Sequence, residues 1–175
     1  MGCGTGGLTT HLAQACKYVY AVDVSGPMIG KLREKIDRQG LGNVTAVQAG
    51  FLTYVHAGEE LDAIIANIAL HHLPDFWKQI ALCRLHDMLK KGGKLLLADV
   101  VFSFAPREYR FSIDNWLRSM QEMAGRQMAA ETVVHVRDEY STWDWVMAGM
   151  LERAGFAVES NEEFMPNMRA FICAK

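Results

Sequence analysis

Apolar positions along this chain alternate between helical spacing and short unbroken runs. Leu8, Leu12, Ala15 and Cys16 recur at helical spacing, and the apolar run Tyr18 to Val24 that follows reads as a strand. Ser25 is placed to cap a second helix, with Pro27 tolerated in its first turn and Met28, Leu32 and Ile36 on its inner face. Val44 to Gln48 predicts another strand, after a turn that carries Gly40 and Gly42, and Leu61 to Asn67 predicts a third. Pro74 opens a helix expected to run to about Lys90, where Gly92 and Gly93 would stop it through a left-handed cap. Lys94 to Val101 is the clearest strand. Its centre, Leu95 to Ala98, is apolar on both faces, as in a sheet covered by helices on both sides.

The pattern changes after residue 101. Residues 102–142 carry aromatic and charged residues without a sheet signal, and Ile113, Trp116, Leu117, Met120 and Ala124 fall on one helical face. Trp143, Val146, Met147, Met150, Leu151 and Ala154 define a further helix that Gly155 ends. Phe156 to Ser160 and Arg169 to Ala174 suit an antiparallel hairpin around Pro166 and Asn167. The expected fold is α/β: a Rossmann-like, mostly parallel sheet flanked by helices, closed by a C-terminal antiparallel hairpin. One domain over 1–175 is expected, with 102–142 as a cover on its ligand side.

Composition narrows the function classes. Half of the 175 residues are hydrophobic and 22% are charged, which suits a globular chain. The net charge is −2 and there is no extended basic stripe, so no nucleic-acid partner is expected. Cys3, Cys16, Cys83 and Cys173 are scattered, with neither a paired-cysteine motif nor a histidine at zinc spacing. Reduced thiols, a cytoplasmic location and no membrane partner are expected, since no stretch is apolar enough to span a bilayer.

Chemistry concentrates at the start. Gly2-Cys3-Gly4-Thr5-Gly6-Gly7 runs straight into a helical pattern. Such a loop lets backbone approach a ligand closely, and the helix behind it offers free N–H groups and a positive dipole end. Asp23 ends the next strand, where a carboxylate can accept hydrogen bonds from ribose hydroxyls. Taken alone, this pair of features serves a dinucleotide as well as any other adenosine cofactor.

Further motifs separate the readings. Gly2 to Gly6, Val22-Asp23-Val24-Ser25 with Met28, Leu61 to Ile65 followed by Ala69-Leu70-His71-His72-Leu73, Leu89 to Leu95, and Arg153-Ala154-Gly155-Phe156 stand in order. Together they resemble the motifs of class I S-adenosylmethionine-dependent methyltransferases, and within them the ubiquinone/menaquinone-biosynthesis-like small-molecule group. The resemblance covers nearly the whole chain except 102–142. It implies S-adenosylmethionine as cofactor, a small-molecule acceptor, and cofactor contacts at Gly2, Gly4, Thr5, Gly6, Asp23, Met28, Gly50, Phe51 and Asn67. Gly50 stands where many relatives carry an Asp for the adenine amino group, leaving backbone groups and the Phe51 ring for adenine. His71 and His72 are the candidates for a general base, because histidine titrates near neutral pH. No metal site is expected from this pair, since no further ligands stand at a regular spacing. An NAD-dependent oxidoreductase on a related sheet, or a truncated non-catalytic cofactor-binding domain, are the alternatives.

One departure bears on stability. The family places an apolar strand directly before the glycine loop, and this chain starts at the loop. Some five buried aliphatic residues at ~1.5–3 kcal/mol each amount to roughly 8–15 kcal/mol, comparable to the stability of a whole domain. A truncated first strand is therefore expected, and its loss would separate the Tyr18–Val24 strand from the Leu61–Asn67 strand or force them together.

Overall fold

The computed structural model describes residues 1–175. Helix α1 (Gly7–Ala15) leads to strand β1 (Val19–Asp23), then helix α2 (Gly26–Gln39) and strand β2 (Val44–Gln48). The Ser25 hydroxyl accepts from the Met28 N–H at 3.4 Å, and Gly40 closes α2 in the left-handed region with φ 63°. Both ends of α2 thus follow the local signals. Strand β3 (Leu61–Asn67), helix α3 (Asp75–Met88) and strand β4 (Leu89–Phe102) follow. Helix α4 (Tyr109–Asp138), the two-residue strand β5 (Thr142–Trp143), helix α5 (Asp144–Arg153) and the hairpin of β6 (Ala157–Met165) and β7 (Met168–Ala174) complete the chain.

The strands form two sheets. β1 and β2 pair in parallel as one. The other runs β3-β4-β7-β6, with β3 parallel to β4 and the hairpin antiparallel to β4 and within itself. Of the two expected arrangements, separation of the Tyr18–Val24 strand from the Leu61–Asn67 strand is the one observed. Between β1 and β3 lies a largely apolar cavity of about 390 Å³, lined among others by Leu12, Val19, Ala21, Ala63 and Ile65. Residues 1–3 bridge its upper end: the Met1 amino group donates to the Ile65 carbonyl at 2.8 Å, and the Cys3 N–H donates to the Val22 carbonyl at 3.0 Å.

Each sheet has its own core. Ala21, Ile29 and Leu32 pack between β1 and α2. A much larger cluster joins β3, β4, α3, α5 and β7 through residues such as Leu82, Leu85, Leu97, Leu151 and Phe171. Fully covered strands need apolar side chains on both faces, and β4 supplies them.

Four expectations change. The third helix ends at Met88, within two residues of the expected end, but residues 89–93 are already strand and not a capped turn. Gly92 does have a left-handed φ of 76°, but it works in a strand irregularity, not in a helix cap. The cause is tertiary: the Gly92 N–H donates to the Lys175 carbonyl, and the Lys175 N–H donates to the Gly93 carbonyl. Gly93 is also hemmed by the carbonyls of Lys90, Asp62 and Leu61, which leave no room for a Cβ. Second, α4 is two helical segments that meet at a sharp break at Gly125 (φ 86°, ψ 177°), and of the expected helical face only Trp116 is buried. Third, Trp143 belongs to β5, which pairs with Val101 and Phe102. Fourth, the hairpin strands are longer than expected, extending to Met165 and Met168 on either side of the turn.

A buried cation fastens the cover. Lys78 of α3 is fully buried, pairs with Asp75 at 2.8 Å and donates to the Tyr140 carbonyl. The Thr142 hydroxyl donates to the other Asp75 oxygen at 3.2 Å. These bonds place the segment after α4 against α3. No helix is long and apolar enough to cross a membrane.

Candidate functional site

The glycine loop is built on backbone that side chains resist. Gly2, Gly4 and Gly6 have φ of 67°, 52° and 77°, the left-handed region that glycine alone enters freely. A Cβ at Gly6 would also strike Leu32, and one at Gly2 would strike Ala69. Asp23, at the end of β1, holds the loop in place. Its Oδ2 accepts from the Gly4 N–H at 2.8 Å, and its Oδ1 accepts from the Ser25 N–H at 2.8 Å. Each oxygen keeps a lone pair for a further donor. The first-turn N–H groups of α1 have no intrahelical partner, and no side chain caps them. The loop, the helix terminus and the carboxylate fit a nucleoside with an anionic tail.

Other expected contacts are distributed unevenly. Thr5 is exposed in the loop, and Met28 is exposed in the first turn of α2. The Gly50 N–H is already taken by the Thr53 hydroxyl at 2.9 Å. Phe51 packs with the larger core, and its carbonyl accepts from the Arg84 guanidinium at 3.2 Å. Asn67 is exposed at the end of β3. Beside it Ile68 adopts φ 49°, a conformation that strains a β-branched residue and collects at functional sites.

Cys3 lies in the loop, but its chemistry is subdued. Burial first, and the Asp23 charge second, push its thiol up to about 11. Cys173 is pushed up to about 12, by burial and then by Glu159. A thiol attacks as thiolate, so both stay protonated and inert at neutral pH. Alkylation near pH 8, followed by mass spectrometry, is expected to label exposed Cys16 first and to spare Cys3 and Cys173. Equal rates at Cys3 and Cys16 would contradict this.

The two histidines part company. The short 3-10 turn Leu70–His72 follows β3, and Asp99 of β4, almost wholly buried, organises it. Asp99 Oδ2 accepts from the Leu70 N–H at 2.8 Å and the His71 N–H at 3.1 Å. Its Oδ1 accepts from the Val100 N–H at 2.8 Å and bonds His71 Nδ1. His71 is 4% exposed, and its Nε2 faces Glu139 Oε2 at 3.1 Å. His72 is 62% exposed, with Nδ1 3.8 Å from Glu139 Oε1. His135, in the last turn of α4, contacts Glu139 Oε2 through Nδ1 and Ser141 Oγ through Nε2 at 2.7 Å. Burial holds the His135 pKa below the usual histidine value, while Glu139 pulls the other way. Sequence reasoning did not single out His135. Its spacing of four residues from Glu139, in a helical pattern, was the available signal.

A second, polar cavity of about 390 Å³ opens where β4, α4 and the hairpin turn meet. Ser103, Asn115, Trp116, Ser119, Glu163 and Asn167 line it. It lies in the region expected to cover the ligand side.

A Rossmann-like sheet with a glycine loop and a strand-end acid defines a nucleoside-cofactor protein. Comparison with known proteins narrows this class. Residues 1–93 match the methyltransferase-domain family. An uncharacterized methyltransferase of Anoxybacillus flavithermus is 40% identical over 101 residues, covering 58% of this chain and 45% of that protein. One from Geobacillus kaustophilus is 30% identical over 156 residues (89% of this chain, 66% of that protein). Another, from a Geobacillus species, is 31% identical over 157 residues (90% and 68%). The chain thus spans between about half and two thirds of the length of these relatives. Among solved structures, magnesium protoporphyrin IX methyltransferase from Synechocystis, with bound S-adenosylhomocysteine, superposes with a TM-score of 0.69 at 19% identity, covering 99% of this chain and 71% of that one. The mitomycin 7-O-methyltransferase superposes at 0.72 with 17% identity, covering 99% and 47%; at such identities the likeness concerns the fold. The chain belongs to the class I S-adenosylmethionine-dependent methyltransferase family.

Proposed function

We propose that this protein transfers the methyl group of S-adenosylmethionine to a small-molecule acceptor. The observation that carries the reading is the Asp23 carboxylate, bonded to both Gly4 and Ser25 and still able to accept from a ribose. The cofactor supplies an electrophilic methyl on a sulfonium, so that attack along the sulfur–carbon axis leaves the bonding pair on sulfur. The protein's part is alignment and exclusion of water. Gly2, Gly4, Thr5 and Gly6 with the α1 terminus would receive the anionic tail, and Asp23 the ribose. Met28 and the backbone at Gly50 would border the adenine, with Phe51 supporting them from the core. Asn67 and strained Ile68 stand at the end of β3, where ligands gather in such sheets.

The acceptor side supports a small molecule. The cavity beside Trp116 and Glu163 is polar and modest in volume, and the net charge of −2 does not favour a polyanion. Where the acceptor must lose a proton, exposed His72 is the base, while buried His71 positions the turn through Asp99.

Calorimetry of the folded chain with S-adenosylhomocysteine, with NAD as control, tests the cofactor. Micromolar binding of the former alone is expected, and binding of NAD alone would sink the reading. Radiolabelled S-adenosylmethionine with a metabolite extract tests the acceptor. Label is expected in the small-molecule fraction, and label confined to protein or nucleic acid would overturn that part.

A further inference from the structure

Three side chains from two distant parts of the chain bring donor atoms to one place. His71 stands in the turn after β3, His135 in the last turn of α4, and Glu139 directly after that helix. One ligating atom from each of the three lies within 4.8 Å of the others, and His71 Nε2 and His135 Nδ1 both approach Glu139 Oε2. We propose that they form a site for one divalent transition-metal ion of the zinc type.

The donor set suits such an ion. Two imidazoles and a carboxylate serve zinc and its neighbours, at bond lengths of about 2.0–2.2 Å. Three ligands around one centre at that radius stand roughly 3–4 Å apart. The 3.1 Å between His71 Nε2 and Glu139 Oε2 falls within that spread, while His135 Nδ1 and Glu139 Oε2 stand closer together and would part to admit the ion.

Outer partners orient both rings. Metal-binding histidines usually engage their other nitrogen with a carboxylate or another acceptor. His71 Nδ1 is held by Asp99, an acceptor only while ionised, which assigns the ring proton to Nδ1 and turns the Nε2 lone pair toward the shared point. His135 Nε2 is held by Ser141 Oγ at 2.7 Å, leaving Nδ1 facing inward.

The charge pattern points the same way. Glu139 Oε2 is closed to solvent and makes no hydrogen bond of acceptable geometry, although both imidazoles approach it. A buried carboxylate oxygen without a donor is costly. Neither Asp99 nor Glu139 faces a lysine or arginine, their ion-pair partners being histidines alone. A dication would answer both carboxylates. It would pin the end of the kinked α4 cover to the turn after β3, and with three protein ligands a tetrahedral ion keeps a fourth position for water or another oxygen ligand. The proposal does not depend on methyl transfer.

The test uses the purified chain after chelator treatment. Zinc titrated by calorimetry is expected to bind at one equivalent. Cobalt(II) is expected to give visible bands of a four-coordinate nitrogen–oxygen site, without intense sulfur charge transfer. Glu139→Gln and His135→Asn are each expected to weaken zinc binding by at least tenfold, and Ser141→Ala by about 10-fold, the lower end for a lost outer partner. Near-UV circular dichroism checks that each variant is folded. The proposal fails if the folded chain binds neither ion, if Glu139→Gln and His135→Asn bind as wild type does, or if the cobalt spectrum shows cysteine ligation.

Discussion

Replacing Asp23 by asparagine is expected to weaken S-adenosylhomocysteine binding by about 10–100-fold while leaving the chain folded. The carboxylate has two jobs at once. One oxygen fixes the Gly4 N–H, the other the Ser25 N–H, and both are placed to accept from ribose. An amide of the same shape turns an NH₂ toward one of those N–H groups. That opposes two donors and removes an acceptor from the ribose. Hydrogen bonds to an ionised group are worth about 1.5–3 kcal/mol each, so losing the one to ribose corresponds to a factor of about 10–100. Calorimetry gives the affinity and a thermal melt gives the fold. An affinity within threefold of wild type, in a variant that melts normally, would remove Asp23 from the cofactor site.

Asp99→Ala is expected to cause the largest loss of stability of any single polar substitution in the site, about 3–5 kcal/mol. Asp99 is 1% exposed and accepts from three backbone N–H groups and from the His71 ring. Without it the Leu70, His71 and Val100 N–H groups lose their partner in a place where water does not reach. Each unsatisfied donor costs about 1–3 kcal/mol, reduced by whatever relaxation the turn allows. Urea unfolding monitored by circular dichroism is the measurement, and the midpoint should fall by roughly 1–3 M. The same change frees the His71 ring, so Asp99→Ala should also disturb the turn that separates β3 from α3. A change below about 1 kcal/mol would mean that this turn is held by something other than Asp99.

Signals that extend over a few residues were legible in the chain. The order of helices and strands follows from apolar spacing, and the Ser25 cap and the Gly40 stop of α2 stand where local chemistry puts them. The glycine loop and Asp23 were legible for the same reason, because backbone conformation at Gly2, Gly4 and Gly6 is a property of those residues. These features are local: the energy that favours them comes from within one turn or one strand. The family assignment rests on the same local motifs taken in order.

Features that depend on residues far apart in sequence were decided by the tertiary structure. Residues 89–93 become strand where a glycine cap was expected, and there Lys175, more than eighty residues later, engages Gly92 and Gly93. Two residues are too few to announce a strand, and Thr142–Trp143 becomes one only by pairing with Val101 and Phe102. Phe51 is apolar whether it borders a ligand or fills a core, and only the folded chain places it with the larger core. His71 and His72 are identical in type and adjacent, yet Asp99, 28 residues on, buries one and leaves the other open. The gathering of His71, His135 and Glu139 spans 68 residues and exists only once the α4 cover folds back over β3. A side chain's identity sets what it can do, while burial and long-range partners select which of those things it does.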